Sequence, residues 1–312
     1  MTDTVGAPAV DLSGDPRRHR RERLVGAVFL LAALASVLVS GLILVSLFSE
    51  GAEFFLEVDW GRVFANDVWN PRAGRFSLST IVVGSLVVTG VAMAVSTPLG
   101  LGAAVYLAEY APPRVRGLLK PVLEVLAGIP SVVLGVFALN WIAPEVVGFF
   151  FGAGEGRTGS MLAAGIGVGI LTIPLMASVS EDAMRAVPPA LRQASAGLGA
   201  RPISTTLRVV LPAAISGIVA AFILAASRAI GETMVVFIAG GAADAAPFTV
   251  DPLDGSLTMT AAMASLATGT ESVRGAGLAV PSLYFVGIVL FVITFVLNVI
   301  ANRVVRRVRQ VY

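Results

Sequence analysis

The sequence predicts an all-α integral membrane protein of six transmembrane helices, and three observations carry that expectation. Hydrophobic residues fill 56% of the 312 positions and charged residues 13%, with a mean hydropathy of +0.87, a composition too apolar for a soluble surface. The apolar residues fall into six long stretches, each near or above the ~20 residues that cross about 30 Å of hydrocarbon. The basic residues gather on alternate connections between those stretches.

The stretches run over roughly 24–48, 78–108, 121–143, 161–180, 212–240 and 279–302. The second is long enough for part of it to tilt or to run beyond the bilayer. An Arg-rich segment leads into the first, as in a secretory signal. Its apolar run exceeds the ~7–15 residues of a signal core and no small-residue cleavage site follows, so it is expected to be a retained anchor. The first fifteen or so residues, rich in Ala, Pro, Gly and Asp, are expected to form a disordered tail.

Sixteen of the 22 Lys and Arg fall on one set of connections. Arg17, Arg18, Arg20, Arg21 and Arg23 precede the first stretch, and Arg114, Arg116 and Lys120 follow the second. Arg185, Arg192, Arg201 and Arg208 separate the fourth from the fifth, and Arg303, Arg306, Arg307 and Arg309 follow the last. The other connections carry Arg62, Arg72, Arg75, Arg157 and Arg274. The positive-inside rule therefore places both termini in the cytoplasm, which an even number of spans requires. The net charge of +2 records this topology and calls for no nucleic acid partner; membrane lipid is the expected surround.

Two long outer connections remain. Residues 49–77 carry Trp60, Trp69, Glu50, Glu53, Glu57 and Asp59, and residues 241–278 carry Asp244, Asp251 and Asp254. Such a face either receives a partner protein or is solvated loop, and Trp near a span end is also an ordinary interfacial anchor.

Several chemistries are excluded. The chain has no cysteine, so it has no disulfide framework, thiol nucleophile or cysteine metal site. The one histidine, His19, lies in the basic N-terminal segment, which speaks against a Ser-His-Asp triad or a histidine metal cluster. The one lysine, Lys120, stands in Leu119-Lys120-Pro121, so no Walker A loop exists. The sequence therefore predicts a transport subunit, with no cofactor and no ATPase site of its own; an ATP-driven process would need its motor on another polypeptide.

The connection at 181–212 is the most informative. Residues 190–198 favour helix apart from Gly197, Gly199 can stop it, and Pro202 prevents simple continuation. A short helix held between two spans can carry a push from a soluble partner into the membrane. The alternative is an amphipathic helix resting on lipid headgroups. Within this stretch Gln193-Ala194-Ser195, three residues, Gly199, nine residues, Val209, one residue and Leu211-Pro212 resemble the EAA loop of ABC-importer permeases. That pattern is Glu-Ala-Ala, three, Gly, nine, Ile, one, Leu-Pro. Gln193, Ser195 and Val209 depart from it, and the first removes a carboxylate that could pair with the ATPase. The resemblance implies that Gln193, Ala194, Ser195, Gly199, Leu211 and Pro212 belong to an ATPase-coupling element whose short helix docks into a groove on that subunit.

Glu124 through Val133, with Gly128-Ile129-Pro130-Ser131 at its centre, Arg228 through Met234, and Leu290 through Phe295 resemble the phosphate-importer permeases. Glu232-Thr233-Met234 in place of Glu-Thr-Ala is similar to the PstC type of that pair. The resemblance spans most of 75–305 and implies a type I, MetI-like ABC-importer permease fold. It divides the chain into a tail over 1–23, a first span and outer loop over 24–74, a five-span core over 75–305 and a tail over 306–312. It also implies a PstA-like second permease, two ATP-binding subunits and an extracytoplasmic phosphate-binding protein. ATP-driven movement of a coupling helix at about 188–200 would then carry inorganic phosphate across the cytoplasmic membrane.

Arg228 and Glu232 merit a functional reading without the comparison. A charge within a span costs at least about 2.5–3.5 kcal/mol on insertion scales and faces a polar path or a partner. Four apart, the two are expected to share a helix face, with Arg228 about 22 Å along a helix starting near Ala213. A guanidinium there offers a planar donor fork to a phosphate oxyanion and stays charged. Glu232 repels an anion, so it is expected either to neutralise Arg228 until the anion arrives or to form a permanent ion pair that fixes packing. Ser227 and Thr233 are further candidates for the path.

Gly165 and Gly169 are expected to allow close helix contact. Pro98, Pro130 and Pro174 are expected to bend spans two, three and four, where a bend can also gate. Glu124 is expected either to snorkel or to line the path. Other ABC permeases, for molybdate, sulfate or a small organic solute, would share the EAA spacing. An ion-driven carrier or channel would need no ATPase, and lacks support from any clear inverted repeat.

Overall fold

The computed structural model describes residues 16–65, 67–152, 159–242, 245–268 and 277–308, with side chains described from residue 21 to residue 303. The tail expected over the first fifteen residues, the side chains of His19, Arg17, Arg18, Arg20, Arg306 and Arg307, and Arg157, Asp244, Arg274 and Arg309 lie outside the described residues.

The chain divides into two units, Met1–Ser49 and Glu50–Tyr312. The first is filled, over its described residues, by most of the apolar helix Pro16–Glu57. Nearly all its described side chains are exposed, the condition of a helix surrounded by hydrocarbon, where backbone groups are satisfied within the helix itself. Six described helices are long and apolar enough to cross a membrane: Arg21–Glu57, Leu78–Tyr110, Ser131–Phe151, Met161–Arg185, Pro202–Ile230 and Ala279–Arg303.

The second unit is organised around spans two and four, which pack along much of their length. Small residues make this possible. A Cβ added at Gly165 would lie 2.6 Å from Cβ of Val91, and one at Gly169 would lie 2.9 Å from Cβ of Val95. Two glycines one turn apart thus meet two valines one turn apart, with no room for a side chain between the backbones. Gly100 of span two meets Met176 of span four in the same way, at 2.8 Å. The small-residue spacing is a packing device, as its sequence suggested. Around this pair lies an apolar core that includes Val88, Ala92, Leu134, Ala138, Val168 and Leu171.

Two predicted spans are corrected. The stretch at 121–143 is not one helix: an amphipathic helix Pro113–Ala127 stops at Gly128, and the span begins afresh at Ser131. Pro130 explains the break, because it removes a backbone donor and holds Ile129 away from helical geometry. It therefore separates two helices instead of bending one, whereas Pro98 and Pro174 lie inside theirs. The stretch at 212–240 begins ten residues earlier, at Pro202, and is interrupted at 231–233 before a short helix Met234–Ala239. Wide π turns precede Leu211-Pro212 and surround Pro144, where a proline ring cannot fit the regular ladder.

The outer connections are more structured than loops. The first helix runs on to Glu57, and a hairpin pairs Trp69 with Phe76 and Asn70 with Arg75. Trp69 is buried rather than interfacial. Between spans five and six, Met259–Ala267 forms a largely buried helix started by Thr258, whose side chain accepts from Ala261 N.

Gly165→Leu is expected to destabilise the protein by about 1–3 kcal/mol through overpacking, seen as a lower thermal unfolding midpoint in detergent. Gly102→Ala, where an added Cβ meets nothing within 4 Å, is expected to leave the midpoint unchanged or raise it.

Candidate functional site

The two sequence strings singled out within the apolar stretches, around Gly128-Ile129-Pro130 and Gly231-Glu232-Thr233, both fall on interrupted helices. The interruptions lie close together: a Cβ at Gly135, one turn into span three, would approach the carbonyl oxygen of Met234 at 3.1 Å and Ile238 at 2.9 Å. The depth of the second interruption follows from its neighbours. Ser160 N donates to Ala239 O at 3.0 Å, so Ala239 lies level with the start of span four. Six residues of helix at 1.5 Å each then put Thr233 roughly 9 Å deeper. Arg228 stands in the last turn of span five, just before the break.

Breaking a helix at that depth frees backbone groups that hydrocarbon cannot satisfy. Thr260 Oγ1 donates to Glu232 O at 2.7 Å. Met259 N donates to Ser85 Oγ of span two at 2.9 Å, which ties the buried helix Met259–Ala267 to the core. Ser85, Thr258 and Thr260 were not singled out in the sequence. Hydroxyls in an apolar protein are common, and only the fold brings these three beside the break.

Arg228 and Glu232 do not share a helix face. Gly231 ends the helix, so Glu232 lies beyond it, and among the described residues no ion pair joins the two side chains. Glu232 Oε1 instead lies 3.5 Å from Val235 N, at the limit of a hydrogen bond, at the start of the short helix. Arg228 is exposed, and a cation in the last turn is favoured there by the helix dipole. Ser227 Oγ is buried without a hydrogen-bond partner. Thr233 Oγ1 makes only a long contact with Gly231 O, 3.4 Å.

The segment at 181–212 lies at the other, basic end of the unit. Pro188 precedes the helix Pro189–Gly197, Pro189 takes its first position, and Gly199 adopts φ +77, a left-handed conformation suited to glycine. Pro202 starts the next helix. Gln193, Ala194 and Gly199 are exposed, as is Pro212, while Leu211 is half-buried. Ser195, one of the departures from the motif, shares a 2.8 Å hydrogen bond with Thr205 Oγ1 and so fastens the short helix to the start of span five.

Charge is concentrated at this end. Glu181 has no exposed surface, and Lys120 Nζ, Arg116 Nε and Arg185 Nη1 stand 3.4, 3.7 and 3.7 Å from its carboxylate. Neither carboxylate oxygen has an aligned hydrogen-bond donor, so the three cations hold the charge in place by proximity. Arg116 also donates to Leu107 O, which joins helix Pro113–Ala127 to the end of span two. Burial pulls the Lys120 ammonium down, but hydrogen bonding to Asp182 and the charges of Glu181 and Asp182 outweigh it, leaving its pKa above the usual 10.5. The stabilisation from Lys120 is therefore complete below 10.5 and is lost only as pH climbs through the raised folded value. Glu124 lies on the amphipathic helix Pro113–Ala127, outside the spans.

Six helices long and apolar enough to cross a membrane, the fifth of them interrupted after Ile230, define a multi-pass membrane protein. The chain belongs to the family of binding-protein-dependent transport system inner membrane components, whose model matches residues 96–310. It is 30% identical to the phosphate transport system permease protein PstC of Mesorhizobium japonicum, over 96% of each chain. It is 32% identical to phosphate transport system permease protein PstC 1 of Mycobacterium bovis, over 84% of this chain and 83% of that one. In fold it is similar to a chain of a bacterial alginate ABC transporter crystallised with its alginate pentasaccharide-bound periplasmic protein, with a TM-score of 0.64 and 13% identity, over 94% of this chain and 98% of the other. The six-span permease fold expected from sequence is thus the fold observed.

Glu181→Gln would leave three cations around a neutral amide, and its expected cost is about 3 kcal/mol, the scale of breaking a buried ion pair. Asp182→Asn, whose carboxylate is largely exposed, is expected to cost under about 0.5 kcal/mol. Thermal unfolding of the two variants in detergent compares them directly.

Proposed function

We propose that this chain is the PstC-type permease subunit of an ATP-driven importer and translocates inorganic phosphate across the cytoplasmic membrane, with both termini on the cytoplasmic side. Similarity to two PstC permeases, over 96% and 84% of this chain, supports the substrate. The observation that carries the reading is Arg228: a permanently charged fork at a helix interruption inside the membrane, unpaired with Glu232 and flanked by the unsatisfied hydroxyl of Ser227. Such a group can meet a desolvated phosphate oxyanion with paired donors. Discontinuous helices are a recurrent way to place polar groups at that depth.

One chain forms half of the path. A PstA-like second permease completes it, two ATP-binding subunits supply the energy, and an extracytoplasmic phosphate-binding protein delivers the ion. The chain has no ATPase site of its own. The helix Pro189–Gly197 receives the ATP-driven movement through Gln193, Ala194, Ser195 and Gly199, with Leu211 and Pro212 where span five returns to regular helix after the wide turn Thr206–Val210. Arg228 is the principal contact for phosphate, with Ser227 and Thr233 beside it. Glu232 lies within the break, its carboxylate beside Val235 N at the start of the short helix.

Labelled phosphate uptake at micromolar phosphate, in cells lacking this chain, tests the reading. Wild type should restore uptake, whereas Arg228→Ala, present in the membrane at a normal level, should fall by at least about tenfold, equivalent to 1.4 kcal/mol. Full uptake by Arg228→Ala would remove Arg228 from the path. Rescue by wild type of molybdate or sulfate uptake instead of phosphate would overturn the substrate.

A further inference from the structure

Arg192 directly precedes Gln193 but faces the opposite way. The helix Pro189–Gly197 presents Gln193 and Ala194 outward, and Leu198, which caps it, is 89% exposed. Arg192 turns back into the protein, where its guanidinium uses all three nitrogens. Nη2 lies 2.8 Å from Glu109 Oε1, and Nε lies 3.3 and 3.4 Å from the two carboxylate oxygens of Glu109. Nη1 donates to Val187 O at 2.7 Å and Nη2 to Met184 O at 2.8 Å. One side chain thereby joins the short helix, the wide turn Tyr106–Tyr110 that ends span two, and the last turn of span four with the link that follows it.

Both carboxylate and guanidinium are largely buried, so the contact is shielded from salt and solvent more than a surface pair. Its geometry is a fork closing on a carboxylate, which fixes direction as well as distance. The surroundings stiffen the same end. Arg116 fastens helix Pro113–Ala127 to Leu107, three residues before Tyr110, and reaches Glu181, one turn before Arg185 in span four. The link between span four and the short helix is only 186–188. Without Arg192, a push on the short helix could be absorbed by rotation in that link.

We propose that Arg192 is a positioning residue that makes the short helix and the basic ends of spans two and four move as one body, so that a displacement delivered by the ATP-binding subunits reaches the paired spans at the centre of the fold. This rests on the ATP-driven reading above. Gln193, Ala194 and Ser195 would then receive the movement, and Arg192 with Glu109 would pass it on. Lysine in place of Arg192 keeps the charge but has one nitrogen where three are used, so it cannot hold all three elements.

The test uses the assembled importer in proteoliposomes with binding protein outside and ATP inside, and reads phosphate imported per ATP hydrolysed. Glu109→Gln, Arg192→Lys and the double variant are compared with wild type, with assembly checked by size-exclusion chromatography. The ratio is expected to fall by about fivefold or more in each single variant, and the double variant to be no worse than the poorer single, because both changes break one connection. A merely structural role would lower the amount of assembled complex and leave the ratio alone. An unchanged ratio in assembled Glu109→Gln and Arg192→Lys complexes, or additive losses in the double variant, would overturn the proposal. Import by the wild-type complex without ATP would instead overturn the ATP-driven reading itself, a result visible before any variant is made. If Arg192→Lys fails to assemble, Glu109→Gln alone decides, since it leaves the Arg192 contacts to Met184 O and Val187 O possible.

Discussion

Hydrocarbon offers no hydrogen bonds, so each backbone group within the membrane must find its partner inside the protein. The architecture follows from that constraint. Where the chain is regular helix, it needs no help. Where the helix stops at Gly231, the freed carbonyl of Glu232 is met by Thr260, and Thr260 is held in place because Met259 N reaches Ser85 on span two. The buried helix Met259–Ala267 is therefore a support for the interruption, and the interruption is what puts Arg228 in the last turn of a helix instead of on the flank of a continuous one.

The two ends of the second unit solve different problems. Close contact between spans two and four, with Gly165 and Gly169 against Val91 and Val95, relies on shape, because apolar side chains gain little from leaving lipid for protein. At the basic end the same two spans finish in charged clusters around Glu109 and Glu181, with cations drawn from span-linking segments and, at Arg185, from span four itself. Buried charges tolerate few alternative arrangements, since a lost partner leaves an uncompensated ion. A rigid basic end and a polar break deeper in the membrane are compatible with movement that enters at one place and acts at another.

Much of this was legible in the sequence, and the limits have physical causes. The starts of the fourth and sixth spans at Met161 and Ala279 were predicted correctly because apolarity is local. The short helix Pro189–Gly197 was legible because residues 190–198 favour helix and Gly199 and Pro202 mark its end by backbone geometry alone. The breaks at 128–130 and 231–233 were missed because the apolar pattern runs through them and the groups that satisfy them come from far away: Thr260 lies 28 residues from Glu232. The expected shared face of Arg228 and Glu232 failed for the same reason, since it assumed a helix continuing past Gly231. Glu109 and Arg192, 83 residues apart, gave no signal beyond the topological bias of basic residues. For the proposed site, the sequence names the residues but not how the fold arranges them, since Arg228 and Glu232 stand on either side of the helix end at Gly231.

The most direct measurement is solute accumulation by the purified complex of this chain with the proposed second permease, ATP-binding subunits and binding protein, reconstituted in sealed vesicles and supplied in parallel with labelled phosphate, sulfate and molybdate. The expected result is accumulation of phosphate alone, present with hydrolysable ATP and absent with a non-hydrolysable analogue. Accumulation driven by an ion gradient without ATP, or preference for sulfate or molybdate under ATP, would contradict it.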